Sequence, residues 1–297
     1  MSMKEYLMRS LMFVPSHSEK LMMSAKRFDA DVFLFDIEDS CQPVENKQKG
    51  RDRIIQMVND GDFRDKILFP RINDRESGEL LKDVMQLTVE GIEGFMYPKA
   101  KNGDDIYFFS KLLETIEHQK KLPIGTFKII PLIETASAVL HAEEICRASE
   151  RVVAIAYGSE DFITDLGGVH DLEHKSLFVP RAMIAMAARA AGVIPIDTVH
   201  VRVKDLDDLE VNIKLSKKLG FEGMLILNPM ELPLAHKYYS PSKQEVSEAE
   251  EMLRLDKEAR LNNKGVAIMN GKFIGPPFVS KAKKIINKNN LIVKTNE

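Results

Sequence analysis

Eight short apolar runs, each bounded by turn residues, recur along this chain of 297 residues. Buried parallel strands have this pattern because helices cover both of their faces. The runs are Ser10–Pro15, Val32–Asp36, Lys66–Ile72, Gly94–Pro98, Lys128–Ile133, Val152–Gly158, Ile196–Val201 and Glu222–Leu227. We therefore expect eight strands that all belong to one parallel sheet.

Helical patterns fill the intervals between the apolar runs. The clearest predicted helices are Glu76–Glu90, Asp104–Gln119, Thr135–Ala148 and Leu206–Leu219. In the last of these, apolar residues share one face, and Gly220 follows as a helix stop. Eight strand–helix units in one chain predict an α/β protein with a (β/α)8 TIM barrel. A doubly wound open sheet is the alternative, because alternation alone cannot show that the sheet closes.

The chain extends beyond what a minimal barrel needs. After the eighth run come a predicted helix, Lys243–Asn262, and a further segment, Gly265–Lys288. We predict a barrel over residues 1–240 and a C-terminal helical extension over residues 241–297. The extension is expected to pack on a neighbouring subunit.

Charge and cysteine content narrow the classes of function. The formal net charge is −3, from 42 basic and 45 acidic residues, so neither nucleic acid nor an anionic membrane is an expected partner. The longest small-apolar stretch, Ala182–Ile196, contains Arg189 and is shorter than the ~20 residues of a membrane span. The two cysteines lack metal-ligand spacing, and no secretory signal is visible. A cytoplasmic protein with free thiols is expected.

Polar residues follow several of the apolar runs, at the end of the barrel where active sites lie. The candidates are Asp36, Glu38, Asp39, Arg71, Lys99, Glu134 and Asp161. Clustered carboxylates repel one another unless they are protonated or meet cations, and Arg71 and Lys99 supply only part of that positive charge. Mg²⁺ suits a site with one or two carboxylates and open positions for water and substrate. Glu134 and Asp161, which follow consecutive runs, are the predicted metal ligands.

A structural explanation of these residues stands beside the functional one. Asp161 could cap the next helix, and Asp39 could begin a turn. Arg71 could be an ordinary ion-pair partner. These explanations account poorly for several such residues after nearly pure apolar runs. The spacing alone favours neither a metal site nor a structural role for these residues.

Motifs at these same positions resemble, in order, those of the HpcH/HpaI aldolase and citrate lyase β-subunit superfamily. The resemblance runs nearly end to end. The motifs are RSLMFVP (9–15), DIEDS (36–40) with Lys47 and Arg51 downstream, FPRIN (69–73), YPK (97–99), IETA (133–136), YGSEDF (157–162) and FVPRAMIAMAARAAGVIPIDTV (178–199). Their order and spacing together make the resemblance specific.

The resemblance implies a role for each of the main site residues. Glu134 and Asp161 correspond to the family's Mg²⁺ ligands. Arg71 corresponds to the arginine that binds a carboxylate or carbonyl oxygen of the substrate. Asp36 and Glu38 correspond to acidic residues around the water on the metal.

Asp39 stands where the HpcH/HpaI aldolases carry a catalytic histidine, and an aspartate there is the pattern of the citrate lyase branch. Catalytic roles are therefore assigned to Arg71, Asp39, Glu38 and Asp36. Substrate binding is assigned to Arg71, Lys99 and Lys20.

The implied activity is Mg²⁺-dependent cleavage or formation of a carbon–carbon bond through an enolate. The implied substrate is a 3-hydroxyacyl thioester of the citryl-, malyl- or citramalyl-CoA type, with a 2-oxo acid as the other small-molecule partner. A metal and a guanidinium placed beside the developing charge would stabilise it. The resemblance also implies a homotrimer.

Two departures from the family pattern leave other functions open. Gly275, in GKFIGPP (271–277), stands where an acid/base aspartate is expected, and GMLILNP (223–229) carries Met224 and Asn228 where the family often has a Lys and an Ile-His-Pro run. One alternative is an aldolase that acts on a free 2-oxo acid without CoA. The other is a metal-binding member with reduced or no catalysis.

Overall fold

The structure is a computed structural model that describes residues 5–171, 175–262 and 266–296. The described residues form two compact units, one within Met8–Ala235 and one within Met1–Leu7 together with His236–Glu297. The first unit contains eight strands in an eight-stranded sheet. They are β1 Ser10–Pro15, β2 Val32–Asp36, β3 Ile67–Leu68, β4 Gly94–Tyr97, β5 Lys128–Ile133, β6 Ala154–Tyr157, β7 Ile194–Asp197 and β8 Gly223–Ile226.

All eight strands are parallel and lie in the order β3-β2-β1-β8-β7-β6-β5-β4. Single bridges join the two ends of this order, because Arg71 bridges both Asp36 and Met96. The Met96 N–H donates to the Pro70 carbonyl at 3.0 Å, and the Ile72 N–H donates to the Met96 carbonyl at 3.2 Å. The sheet therefore closes into the predicted barrel, and the open-sheet alternative is wrong.

The third and seventh strands differ most from the predicted ones, and each lies at a proline. The third strand is shorter than predicted because Pro70 has no N–H to donate, so the pairing continues only as single bridges. The seventh strand runs from Ile194 to Asp197, so it begins two residues and ends four residues earlier than predicted, and it includes Pro195. A proline is unusual in a central strand because it cannot donate to the ladder.

Helices follow the strands along the chain, and those that lie wholly within Met8–Ala235 cover the outside of the barrel. They are α1 Glu19–Ala25, α2 Glu45–Asn59, α3 Leu80–Leu87, α4 Gly103–Lys120, α5 Ala136–Leu140, α6 Ala142–Arg147, α7 Ser159–Leu166, α8 Phe178–Ala191, α9 Leu206–Leu219 and α10 Leu232–Tyr239. The predicted helix Leu206–Leu219 is confirmed in full. The predicted helix Thr135–Ala148 is instead two short helices that meet at His141, and Glu76–Glu90 is reduced to α3 after a 3₁₀ turn.

Alternation along the strands decides which side chains enter the barrel. Phe33 and Phe35 of β2 both contact Phe63, with ring centroids 5.4 and 5.0 Å apart, in the layer between sheet and helices. Successive side chains of a strand point to opposite faces. Asp36 therefore points into the barrel, at its carboxyl end.

The second unit contains α11 (Lys243–Leu261), a hairpin of β9 (Ala267–Met269) and β10 (Lys272–Ile274), and α12 (Pro276–Asn296). The hairpin was not predicted, and its turn places Asn270 and Gly271 at positive φ, as the tightest hairpin turns require. Ala259, Ala267, Ile274 and Val279 form the core of this unit. The start of the predicted segment Gly265–Lys288 lies outside the described residues. Within the described ranges, no helix is long and apolar enough to cross a membrane.

Candidate active site

The carboxyl ends of the strands bring most of the predicted site residues together. Asp36 ends β2, Glu38 and Asp39 follow it, and Arg71 lies just beyond β3. Lys99 and Glu134 follow β4 and β5, and Asp161 lies in the first turn of α7 after β6. The polar groups thus share the end of the barrel that carries the active site in TIM-barrel enzymes.

Arg71 is the centre of this cluster. Its Nε and Nη2 atoms each lie 2.8 Å from one carboxylate oxygen of Asp36, in a bidentate pair. Its Nη1 atom lies 3.1 Å from Glu38 Oε2 and 3.2 Å from Asp39 Oδ2. The guanidinium carbon also lies 4.8 Å from the ring centroid of Phe13. Arg71 is therefore held on one edge and faces the acidic loop with the other.

Lys99 joins the two acidic parts of the site. Its Nζ atom lies 2.7 Å from Glu38 Oε1, so both oxygens of Glu38 meet cations as ion pairs. Its backbone N–H donates a hydrogen bond of 3.0 Å to Glu134 Oε2. Lys99 also lies at a φ of +53°, which is uncommon for a residue with a side chain.

Glu134 is buried, whereas Asp161 is exposed. A glycine at position 158 leaves room for the Glu134 side chain: a methyl group there would lie 2.6 Å from Glu134 Cγ and 2.9 Å from Oε1. Oε1 makes no hydrogen bond within the part of the chain that the structure describes. The carboxylate therefore keeps one oxygen free for a ligand while the other is fixed by Lys99.

Burial and neighbouring charges shift the pKa values of the carboxyl groups at this site. Burial raises the pKa of Glu134 to about 8, and the charges of Glu38 and Asp161 add to this effect, against the charge of Arg71. Burial also raises the pKa of Glu38. Burial acts in the same direction on Asp36, but the charge and hydrogen bonds of Arg71 outweigh it and lower the pKa of that carboxyl group. Glu134 is therefore the carboxyl group of this site whose charged form is most disfavoured without a cation beside it.

A divalent cation fits this arrangement. No three His, Cys, Asp or Glu side chains among residues 5–171, 175–262 and 266–296 are grouped to hold an ion by themselves. Glu134 and Asp161 would thus leave several positions to water and substrate, as Mg²⁺ prefers. The free oxygen of Glu134, and a raised pKa that a bound cation would lower, are the observations that fit the ion.

One predicted site residue stays apart from the cluster. Lys20 lies on the exposed side of α1 and makes no hydrogen bond or ion pair with any described residue. Phe13, by contrast, was not predicted, because an apolar residue inside a strand is indistinguishable from core. Its partial exposure and its contact with Arg71 place it at the barrel mouth.

A buried polar network beneath the acidic loop was also missed as part of the site. Lys47 Nζ donates to the carbonyls of Ile37 and Glu38 at 3.4 and 3.2 Å and also bonds Asn73 Oδ1. Asp83 Oδ2 accepts from the Asn73 N–H at 2.8 Å, and its Oδ1 lies 2.6 Å from an Arg51 nitrogen. The spacing of Lys47 and Arg51, one helical turn apart, was the available signal. The network ties the loop after β2 to the loop after β3.

Three comparisons place the chain among known proteins. It is 30% identical over 291 residues to the citrate lyase subunit beta of Leuconostoc mesenteroides subsp. cremoris, covering 97% of this chain and 96% of the relative. It is 28% identical to an L-malyl-CoA/beta-methylmalyl-CoA lyase of Cereibacter sphaeroides, over 94% and 92% of the two chains. The crystal structure of CitE from Mycobacterium tuberculosis with magnesium, acetoacetate and coenzyme A superimposes with a TM-score of 0.72 at 23% identity, over 94% of this chain and 97% of that chain.

The family model agrees with these relatives. The model for HpcH/HpaI aldolase/citrate lyase matches residues 9–229, which include all eight barrel strands and every predicted site residue. Together with the 30% identical relative, this match confirms the resemblance seen in the sequence motifs. The chain belongs to the HpcH/HpaI aldolase/citrate lyase family.

Proposed function

We propose that this protein is a Mg²⁺-dependent carbon–carbon lyase that cleaves or forms a 3-hydroxyacyl thioester of the citryl-, malyl- or citramalyl-CoA type. The observation that carries the proposal is the arrangement at the barrel mouth. There a clamped arginine, Arg71, lies beside a buried glutamate, Glu134, that keeps one oxygen free. The relatives, a citrate lyase subunit and a malyl-CoA lyase, agree with this class of reaction.

Cleavage of such a thioester requires three movements of charge. The 3-hydroxyl group loses its proton, the C2–C3 bond breaks, and the electron pair moves to the thioester carbonyl oxygen as an enolate. The products are a 2-oxo acid and, once the enolate takes up a proton, an acyl-CoA. Mg²⁺ held by Glu134 and Asp161 would supply a Lewis acid for the oxygens of the 2-oxo acid.

The side chains around the metal position would bind substrate and move the proton. Arg71 meets a carboxylate or carbonyl oxygen of the substrate, and its planar fork suits a carboxylate. Asp36 keeps the guanidinium oriented through two hydrogen bonds of 2.8 Å. Asp39, which is exposed and lies 3.2 Å from Arg71 Nη1, accepts the proton of the substrate's 3-hydroxyl group. Glu38 would order the water on the metal.

Two lysines complete the proposed substrate contacts. Lys99 presents a half-exposed ammonium group 2.7 Å from Glu38 and attracts the anionic substrate to this side of the mouth. Lys20 lies on the exposed side of α1, which follows β1, and would meet a more distant anionic part of the substrate. We also propose that the protein assembles as a homotrimer in which residues 241–297 pack on a neighbouring subunit. Light scattering that finds a strict monomer at micromolar concentration would exclude that assembly.

Gly275 favours a second candidate, an aldolase that acts on a free 2-oxo acid without CoA. Gly275 is buried at the start of α12, and its carbonyl accepts hydrogen bonds from the Phe278 and Val279 N–H groups at 3.0 and 3.3 Å. A glycine has no group that could transfer a proton there.

We also propose a cytoplasmic location, since the two buried cysteines, Cys41 and Cys146, are free thiols.

The experiment that tests the proposal compares thioester and free-acid substrates. Malyl-CoA and citramalyl-CoA are supplied with and without Mg²⁺, and release of the 2-oxo acid is measured. Parallel reactions offer pyruvate and an aldehyde without CoA. The proposal expects Mg²⁺-dependent cleavage of at least one thioester, abolished in Glu134→Gln. Turnover of only the free acids would favour the second candidate, and turnover of neither would favour a binding protein.

A further inference from the structure

The backbone of Lys99 contacts the predicted metal ligand more directly than its side chain does. The Lys99 N–H donates to Glu134 Oε2 at 3.0 Å, whereas the ammonium group lies 2.7 Å from Glu38 Oε1. The φ of Lys99, +53°, sets how the side chain and the following chain are turned relative to this N–H group. The left-handed conformation therefore lets the N–H group meet Glu134 while the ammonium group meets Glu38.

This conformation is unfavourable for a residue with a Cβ atom, and such residues persist where their surroundings hold them. The neighbours of Lys99 in the chain, Pro98 and Ala100, are both buried. The hydrogen bond to Glu134 and the ion pair with Glu38 add two further restraints. Strain of this kind is concentrated at functional sites.

We propose that Lys99 is a positioning residue whose left-handed backbone orients Glu134 for the metal, independently of any contact that its side chain makes with substrate. This inference rests on the proposed function, since it assumes that Glu134 binds Mg²⁺. Fixing Oε2 by a backbone donor leaves Oε1 as the oxygen for the ion. Hydrogen bonds to metal ligands orient them and typically change metal affinity by about 10- to 100-fold.

The test separates the backbone from the side chain with variants that all lack the ammonium group. Lys99→Met keeps an unbranched side chain and adopts the left-handed region about as readily as most residues with a side chain do. Lys99→Asn favours the left-handed region, and Lys99→Val, being β-branched, strongly disfavours it. Mg²⁺ affinity is measured by calorimetry, folding by thermal melting, and the KM for the thioester separately.

The Val variant is expected to bind Mg²⁺ about 10- to 100-fold more weakly than the Met variant, and the Asn variant at least as tightly as the Met variant. If the ammonium group contacts the substrate, all three variants should show the same change in KM, because all three lack that group. Equal Mg²⁺ affinities for Val and Met overturn the inference and leave the proposed function intact. If Val does not fold, weaker binding by Asn than by Met overturns it. Absence of Mg²⁺ binding by the wild type removes the proposed function and this inference together.

Discussion

Asp36 clamps Arg71 through two parallel hydrogen bonds, from Nε to Oδ1 and from Nη2 to Oδ2, each 2.8 Å long. Both residues are buried, and Arg71 stacks over Phe13 on a third side. The guanidinium plane is thereby fixed before any substrate arrives. Only Nη1, which contacts Glu38 and Asp39, faces groups that a substrate carboxylate could replace.

Arg71→Lys tests whether this fixed plane binds the oxo acid. Lysine keeps the charge but cannot pair with Asp36 and a substrate carboxylate in the same plane. Loss of a charged hydrogen bond of roughly 1.5–3 kcal/mol predicts about 10- to 100-fold weaker oxo-acid binding by calorimetry. Arg75→Lys, an exposed substitution of the same type, is the control. Normal oxo-acid binding by the Arg71 variant would show that another group holds the substrate.

Gly158→Ala tests the space beside Glu134. The added methyl group would lie 2.6 Å from Glu134 Cγ, so the carboxylate must move away from its place beside Lys99. We expect Mg²⁺ affinity to fall by about 10-fold or more with the fold retained. Gly168→Ala is the matched control, because the atoms nearest to its new methyl group lie 3.6 Å or more away. If both variants bind Mg²⁺ like the wild type, Glu134 does not need this position.

The barrel could be predicted because its signals are local. Runs such as Val32–Asp36 and Lys128–Ile133 are apolar except for one charged residue at an end, and their bounds agree with the structure. The strand ends then placed Glu134 and Arg71 at one mouth, since all strands of a barrel point the same way. The hairpin in the second unit had a local signal too, in Asn270–Gly271, and was overlooked.

The rest of the site depends on contacts between residues distant in sequence. The Lys47–Asn73 and Asn73–Asp83 contacts span 26 and 10 residues, and no pattern in the sequence pairs them. The φ of Lys99 is equally invisible, because lysine carries no preference for the left-handed region. In the sequence, Gly158 follows an apolar run as many turn glycines do. The structure shows why a glycine is needed there, because the Glu134 side chain occupies the space that a Cβ atom would take.

Glu231→Gln should change how stability depends on pH. Glu231 is fully buried, its Oε2 accepts the Leu227 N–H at 3.3 Å, and burial raises its pKa to about 7 from an ordinary 4.5. Between these values the unfolded chain has released a proton that the folded protein keeps. The free energy of unfolding therefore falls as pH rises from 4.5 to 7, by roughly 3 kcal/mol from this group.

Glutamine does not titrate, so the variant should lack this part of the decline. Urea unfolding of both proteins at several pH values measures the difference, which should grow in favour of the variant up to about pH 7 and then stay constant. Glu150→Gln, at an exposed position, serves as the control. Parallel curves for Glu231→Gln and the wild type would mean that Glu231 has the same pKa in the folded protein as in the unfolded chain.

Gly275→Asp tests whether proton transfer was lost with the family aspartate. The wild type is expected to hydrolyse malyl-CoA or citramalyl-CoA poorly, and the variant is expected to gain free-CoA release. Positioned acid–base catalysis is worth about 10²–10⁴-fold, which sets the upper limit of the gain. An aspartate suits the start of α12, and the new Cβ would displace only the exposed Phe273 ring, 2.7 Å away. Robust hydrolysis by the wild type would place the acid–base group elsewhere.

Calorimetric titration of Mg²⁺ into the wild type, Glu134→Gln and Asp161→Asn tests the central claim most directly. The neighbouring Glu160→Gln removes an equal charge without removing a proposed ligand and serves as the control. The wild type and the control should bind one Mg²⁺ with similar affinity, and each ligand variant should bind at least about 10-fold more weakly, because few protein groups hold the ion. Equal Mg²⁺ affinity in all four proteins, or none in the wild type, would contradict a metal site at the mouth of this barrel.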